Sequence, residues 1–290
     1  MFLSALANFI FVILFGWGDI SSISNVEANL VALKPEASQL EIAAEKTAVL
    51  AGDGRFLLEA KRADEIQPIA SITKLMTALV FLDNNPGWDQ IYEITAADNI
   101  SGGRLSLFLG ERVTIKDLFY TSLVASDNGA TIALVHATGL NETDFVEQMN
   151  AKAKKLDLRK TKFADPIGLS NYNVSTAREI AIMARAAFKQ PEILSAVSIP
   201  TYRYQTENGT DKKIESTDYL LFDSGVNSFQ VVGGKTGFTD QAGYCFVGQF
   251  KNADGQEVIS VVLNSQGNNE RFKDSKALIN WVFNSYIWPR

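Results

Sequence analysis

The spacing of apolar positions changes character several times along the chain. Met1 to Trp17 is an almost continuous apolar run without a charged side chain, and polar Asp19–Asn25 follows. Lys46–Gly52 and Arg55–Ala60 are two short strand-like runs around Asp53-Gly54, a dipeptide suited to a tight hairpin. From Ser71 to Leu82, Ile72, Leu75, Met76, Leu79 and Val80 recur at helical spacing. Further helices are expected over Thr114–Leu123, Thr131–Ala137 and Thr143–Leu156. Thr114 with Asp117 forms one start signal, and Thr176-Ala177-Arg178-Glu179 forms a capping box for a helix reaching Phe188. After Pro200 the period drops to two. Phe229–Lys235, Gly243–Phe250 and Glu257–Leu263 read as strands, with Asn252-Ala253-Asp254-Gly255 turning the last pair. Glu270 to Tyr286 returns to helical spacing as a closing helix.

The order hairpin, helices, three strands, helix predicts a mixed α/β fold. Its antiparallel five-stranded sheet is built from both chain ends, flanked by helices, with an inserted helical subdomain. The expected divisions are 1–28 as signal peptide or N-terminal membrane anchor, 29–41 as linker, and 42–290 as one catalytic domain. Within that domain the sheet region is 42–70 and 200–290, and the helical region is 71–199.

Composition narrows the function. With 46% apolar residues in 290, the chain can fill a real core. A net charge of −6 argues against a general nucleic-acid binder. One cysteine, Cys245, excludes an intrachain disulfide, and one histidine, His136, excludes a multi-histidine metal site. Proton transfers are therefore expected on lysine, carboxylate or serine, with no metal and no cofactor. The N-terminal run is marginal for a bilayer span, which needs about 20 residues. A small-x-small pattern at Val26-Glu27-Ala28 suits cleavage after Ala28. Either outcome places the folded part outside the cytoplasm.

Three short motifs carry candidate chemistry. Ser71-Ile72-Thr73-Lys74 opens a helix, Ser126-Asp127-Asn128 lies between two helices, and Lys235-Thr236-Gly237 is on the first late strand. Residues i and i+3 share a helix face, so Lys74 can reach the Ser71 hydroxyl. A serine hydroxyl needs a base at neutral pH, and a lysine serves only if burial or a nearby cation lowers its pKa from about 10.4. Lys235 is the expected second cation. The helix start beneath Ser71 offers N–H groups to an oxyanion. Ser126 can relay a proton to a leaving amine, and Asn128 can bind a substrate amide. The strand holding Lys235 can pair with an extended peptide, whose terminal carboxylate Lys235 and Thr236 would meet; Gly237 allows close approach.

Taken together and in order, the motifs resemble the serine D-Ala-D-Ala peptidases, the low-molecular-mass penicillin-binding proteins, from about Glu45 to Tyr286. The segments Pro68–Thr77, Met149–Lys154, Gly168-Leu169-Ser170, Ser175–Glu179, Gly234–Asp240 and Ala242–Cys245 extend the likeness. The resemblance implies a β-lactamase/transpeptidase-like fold with Ser71 as acylated nucleophile, Lys74 as base and Ser126 as relay. It also implies an oxyanion hole from the N–H groups of Ser71 and Phe238, and substrate binding by Asn128, Lys235, Thr236 and Gly237. The implied partners are peptidoglycan stem peptides ending in D-Ala-D-Ala or cross-linked, with β-lactams as inhibitors. No nucleic acid is implied, and membrane contact only through the N-terminal segment. Gly129 stands where many carboxypeptidases of the family carry Asp, which with Asn173–Arg178 leans toward the endopeptidase branch. Thr217-Asp218-Tyr219-Leu220-Leu221 departs from a more usual Thr-Asn-x-Leu-Leu. The alternatives are a class A-like β-lactamase, opposed by the lack of Glu in Phe163–Leu169, and a catalytically silent penicillin-binding module. His136 and Cys245 read as core residues, and the Lys152–Lys162 basic run as a solvated helix end.

Overall fold

The computed structural model describes residues 31–288 except 38, 55–56, 101 and 224–227. The apolar run Met1–Trp17 and the Ala28 cleavage pattern lie outside these residues. Five strands form the main sheet: β1 (Lys46–Ala51), β2 (Leu57–Lys61), β3 (Phe229–Thr239), β4 (Gly243–Asn252) and β5 (Glu257–Ser265). They pair antiparallel in the order β3-β4-β5-β1-β2, which joins the two ends of the chain as expected. Side chains alternate across such a sheet, and both faces are covered. Ala48, Leu50, Val247, Ile259 and Val261 face the main core, whereas Val49, Ala51, Phe246, Phe250 and Val262 face the closing helix.

The helices are α1 (Lys74–Asp83), α2 (Ile115–Val124), α3 (Asn128–Ala137), α4 (Glu142–Lys155), α5 (Ala177–Phe188), α6 (Pro191–Val197) and α7 (Glu270–Ser285). Helix α5 buries Ala177, Ile180, Ala181, Ala184 and Ala187, small residues that let it lie close to the sheet. Helix α7 covers the opposite face with Phe272, Leu278, Ile279 and Val282. Helix α1 is buried along nearly its whole length, as its spacing predicts.

Several boundaries differ from the sequence reading. The nucleophile segment does not begin as an α-helix: Ala70–Thr73 is a 3-10 turn, and α1 follows it. Ala70 has φ +48, outside the helical region, so a tighter turn must precede the helix. Helix α3 starts at Asn128 rather than Thr131, because the buried Asp127 side chain caps it by accepting from the Ala130 N–H at 2.9 Å. Thr114 caps α2 as expected. The Thr176 box is only half formed. Thr176 accepts from the Glu179 N–H at 3.1 Å, but the Glu179 carboxylate turns to the Lys160 N–H and the Thr161 hydroxyl.

Among the elements without a counterpart in the sequence reading are helix α6, the hairpin Thr201–Gln205 with Asp211–Glu215, and the strand pairs Ile91–Glu93 with Arg112–Thr114 and Gln67–Pro68 with Val174–Ser175. Within the expected linker, Ala32–Leu33 pairs with Tyr286–Ile287, where α7 was expected to continue. Asn150 on α4 holds both the N–H and the carbonyl of Phe163, at 3.0 and 2.9 Å. That pair fixes the start of a loop over residues 163–173 that reaches the candidate site.

Candidate active site

The three motifs converge on one cavity of about 640 Å3 between the sheet and the helical region. Ser71, Ser126, Asn128, Thr236, Gly237 and Phe238 line it. Lys74 and Lys235 stand behind that lining, each only 1% exposed.

Lys74 Nζ lies 3.1 Å from Ser71 Oγ, 2.7 Å from Asn128 Oδ1 and 2.8 Å from the Ile167 carbonyl. Burial pushes the Lys74 amine down to about 7, against the pull of Asp127 and Asp165, which favour its charged form. Of the two expected causes, burial and a nearby cation, burial is the principal one. Lys235 is also held well below the usual lysine range, by burial first and then by Lys74 and Arg271. Its ammonium donates to Ser126 Oγ at 2.7 Å and to the Thr236 carbonyl at 3.0 Å. Ser126 has φ +59, a left-handed backbone rare for serine, and this turn aims the hydroxyl at Lys235.

Asn128 was expected to bind a substrate amide. Here its oxygen accepts from Lys74, and its amide nitrogen donates to the Gly102 carbonyl. Gly237 packs closely on the nucleophile turn. A Cβ there would stand 2.9 Å from the Ile69 carbonyl and 3.2 Å from the Ser71 nitrogen. Strand β3 therefore lies directly against the nucleophile turn, which places Phe238 next to it. Gly168 closes the turn from the other side with φ +89; a Cβ there would fall 2.1 Å from the Ala70 carbonyl oxygen. Replacing Gly168 by Ala is expected to destabilise the protein by more than about 2 kcal/mol, since positive φ and overlap act together. A urea midpoint unchanged from wild type would refute this.

Thr217 and Arg271 are among the site residues that the sequence motifs did not point to. Thr217 lines the cavity, and its hydroxyl meets the Thr236 hydroxyl at 2.6 Å. Arg271 lines it too, though only 6% exposed. It donates to the Gly237 carbonyl at 3.0 Å and the Cys245 carbonyl at 3.2 Å, and burial lowers its guanidinium to about 10. Its signal in the sequence was a cation in the first turn of a helix, where the macrodipole disfavours positive charge. Cys245 is fully buried as expected, whereas His136 is only partly buried rather than a core residue and pairs with Asp98 at 2.7 Å.

The comparisons with known proteins agree with this geometry. A family model described as D-alanyl-D-alanine carboxypeptidase matches residues 33–267. The D-alanyl-D-alanine endopeptidase of Escherichia coli is 31% identical over 264 residues, covering 87% of this chain and 81% of that protein. D-alanyl-D-alanine carboxypeptidase DacF of Bacillus subtilis is 30% identical, with 86% of this chain and 64% of that protein covered. Penicillin-binding protein D2 of Listeria monocytogenes, solved with cefotaxime bound, matches with TM-score 0.73 and 34% identity over 85% of this chain and 99% of that one. The Streptomyces K15 DD-transpeptidase matches at TM-score 0.76 and 27% identity over 85% and 99%. With the family match spanning most of the catalytic region, the chain belongs to the D-alanyl-D-alanine carboxypeptidase family of serine DD-peptidases.

Proposed function

We propose that the protein hydrolyses D-Ala-containing peptide bonds of peptidoglycan through an acyl-enzyme on Ser71. The observation that carries this is the buried Lys74 amine 3.1 Å from Ser71 Oγ, facing the Ser126–Lys235 pair across one cavity. Lys74 takes the Ser71 proton as Oγ attacks the penultimate D-Ala carbonyl. The N–H groups of Ser71 and Phe238 receive the oxyanion, in the role that preorganised donors play elsewhere. Ser126, held by Lys235, gives a proton to the departing amine. Water then releases the acyl group. Strand β3 is an edge of the sheet, so its outer side is open to an extended peptide. Lys235, Thr236 and Gly237 would hold the terminal D-Ala along that edge.

No metal or cofactor enters this chemistry. β-Lactams would acylate Ser71 as inhibitors. The proposed catalytic domain, 42–290, would act outside the cytoplasm, carried there by the N-terminal apolar segment, which is also its sole proposed membrane contact.

A second reading, cleavage of cross-links, is favoured by Gly129. A Cβ there would meet the Asp98 carbonyl oxygen at 3.0 Å, so the Asp of many carboxypeptidases would require this backbone to give way by a few tenths of an ångström. A β-lactamase is disfavoured because Asp165, in the loop where that class carries its deacylating glutamate, gives both oxygens to N–H groups of its own loop. A silent module would not need a nucleophile and base held in contact.

Digestion of purified peptidoglycan with mass analysis of the products tests the reading. Loss of one D-Ala per stem identifies carboxypeptidase action, and conversion of dimers to monomers identifies endopeptidase action. Unchanged products from the folded protein would sink both.

A further inference from the structure

The 163–173 loop is built around one carboxylate. Asp165 Oδ1 accepts from the Ile167 N–H at 2.7 Å, the Gly168 N–H at 2.5 Å and the Asn173 amide at 3.1 Å. Its Oδ2 accepts from the Ser170 N–H at 2.6 Å. Asn173, fully buried, closes the loop from within by accepting from the N–H groups of Ala164 and Asp165. The closed loop directs two carbonyls at α1. Pro166 accepts from the Thr77 hydroxyl at 2.5 Å, and Ile167 accepts from Lys74 Nζ at 2.8 Å.

This matters for the direction of the base. A neutral lysine has two N–H bonds and one lone pair, arranged tetrahedrally. The Ile167 carbonyl and Asn128 Oδ1 take the two hydrogens, which leaves the lone pair for the Ser71 hydroxyl. Asn128 is anchored in a helix. The Ile167 carbonyl belongs to a loop and stays in place only while the loop is clamped.

We propose that Asp165 is a positioning residue of the acylation step, clamping the loop so that the Ile167 carbonyl aims Lys74 at Ser71. The inference rests on the Ser71–Lys74 reading above. It also carries an electrostatic consequence. The Asp165 carboxylate favours the charged form of Lys74, as does the buried Asp127 on the α3 side, and both oppose desolvation. Lys235 and Arg271 are buried cations on the sheet side of the cavity. Removing the Asp165 charge alone should let Lys74 lose its proton at lower pH.

Asp165→Asn keeps the size but removes the charge and one acceptor oxygen. Acylation by a chromogenic β-lactam should fall about 10- to 100-fold at its plateau, the cost of a reacting group misplaced by about 1 Å. The acidic limb of the rate profile should move about one pH unit lower. Asp165→Glu, a milder change, keeps the charge with displaced geometry, so its plateau should fall while the limb stays. A merely structural role would lower the rate of both variants without moving either limb. The Lys74 titration can also be read without any chemistry, by carbon-13 NMR of labelled lysine in a Ser71→Ala background. An Asp165→Asn protein with unchanged plateau, or with an unshifted limb and Lys74 titration, overturns the inference. Absence of acylation in wild type, with the Asp165-dependent Lys74 shift intact, instead overturns the functional reading.

Discussion

Changing Ser71 to alanine should abolish covalent labelling by penicillin and D-Ala release together, by more than about 10⁴-fold, while leaving a folded protein. The chemical part follows from the site. Ser126 also sits against a depressed lysine, but its hydroxyl accepts from Lys235, and the Thr236 hydroxyl faces Thr217. The structural part follows from what Ser71 touches. Its hydroxyl meets Lys74 Nζ and holds no turn together, since the turn is closed by the Ile72 N–H to the Ile69 carbonyl. Stability should therefore change by no more than about 0.5 kcal/mol. The variant should still bind a D-Ala-D-Ala peptide, because Lys235, Thr236 and Arg271 are untouched. D-Ala release surviving in Ser71→Ala would refute the acyl-enzyme mechanism. Loss of peptide binding with a normal melting curve would instead place Ser71 in recognition.

The parts of this site that were legible in the sequence are those fixed by local spacing. Ser71 and Lys74 are three apart, and that spacing brings them together through a 3-10 turn as well as it would through an α-helix. Thr114 and Asp127 lie one residue before helical periodicity, where a cap is needed. Thr114 was read in that role; Asp127 was hidden because Asn128-Gly129-Ala130 looks like loop until the cap is known. The strands Phe229–Thr239, Gly243–Asn252 and Glu257–Ser265 show as apolar runs between turn residues, because each packs both faces. What was not legible depends on distant contacts. The positive φ of Ala70 follows from Gly168 and Gly237 pressing on its turn, and these lie about a hundred residues or more downstream. The Glu179 carboxylate abandons its box because Lys160 and Thr161 offer donors from another loop. Arg271 looked like one more polar residue on an amphipathic helix until the sheet placed Gly237 and Cys245 against it.

Replacing Lys74 by alanine should slow acylation about 10²- to 10⁴-fold, the usual contribution of a positioned general base. Lys74 is buried and reaches Ser71 directly, so bulk base cannot take its place. Removing it also leaves the Asn128 oxygen and the Ile167 carbonyl without their donor, so some loss of stability should accompany the loss of rate. The pH profile separates the two effects. Lys74 acts as a base only when neutral, and burial sets its proton loss at about 7. Wild-type acylation should thus rise with pH through about 7 and level off above it, for as long as the fold holds. The alanine variant should lose that limb and be nearly flat, because the other shifted groups of the site, Lys235 and the buried Asp218, which is pushed up to about 7, hydrogen-bond to Ser126, Thr236 and Leu220 rather than to Ser71. A lysine that merely supported the turn would lower the rate at every pH and leave the limb in place. Stopped-flow acylation from pH 5.5 to 9 measures this directly. A variant that kept a rise near pH 7 would transfer the base role from Lys74 to another group, with the Lys235–Ser126 pair first in line.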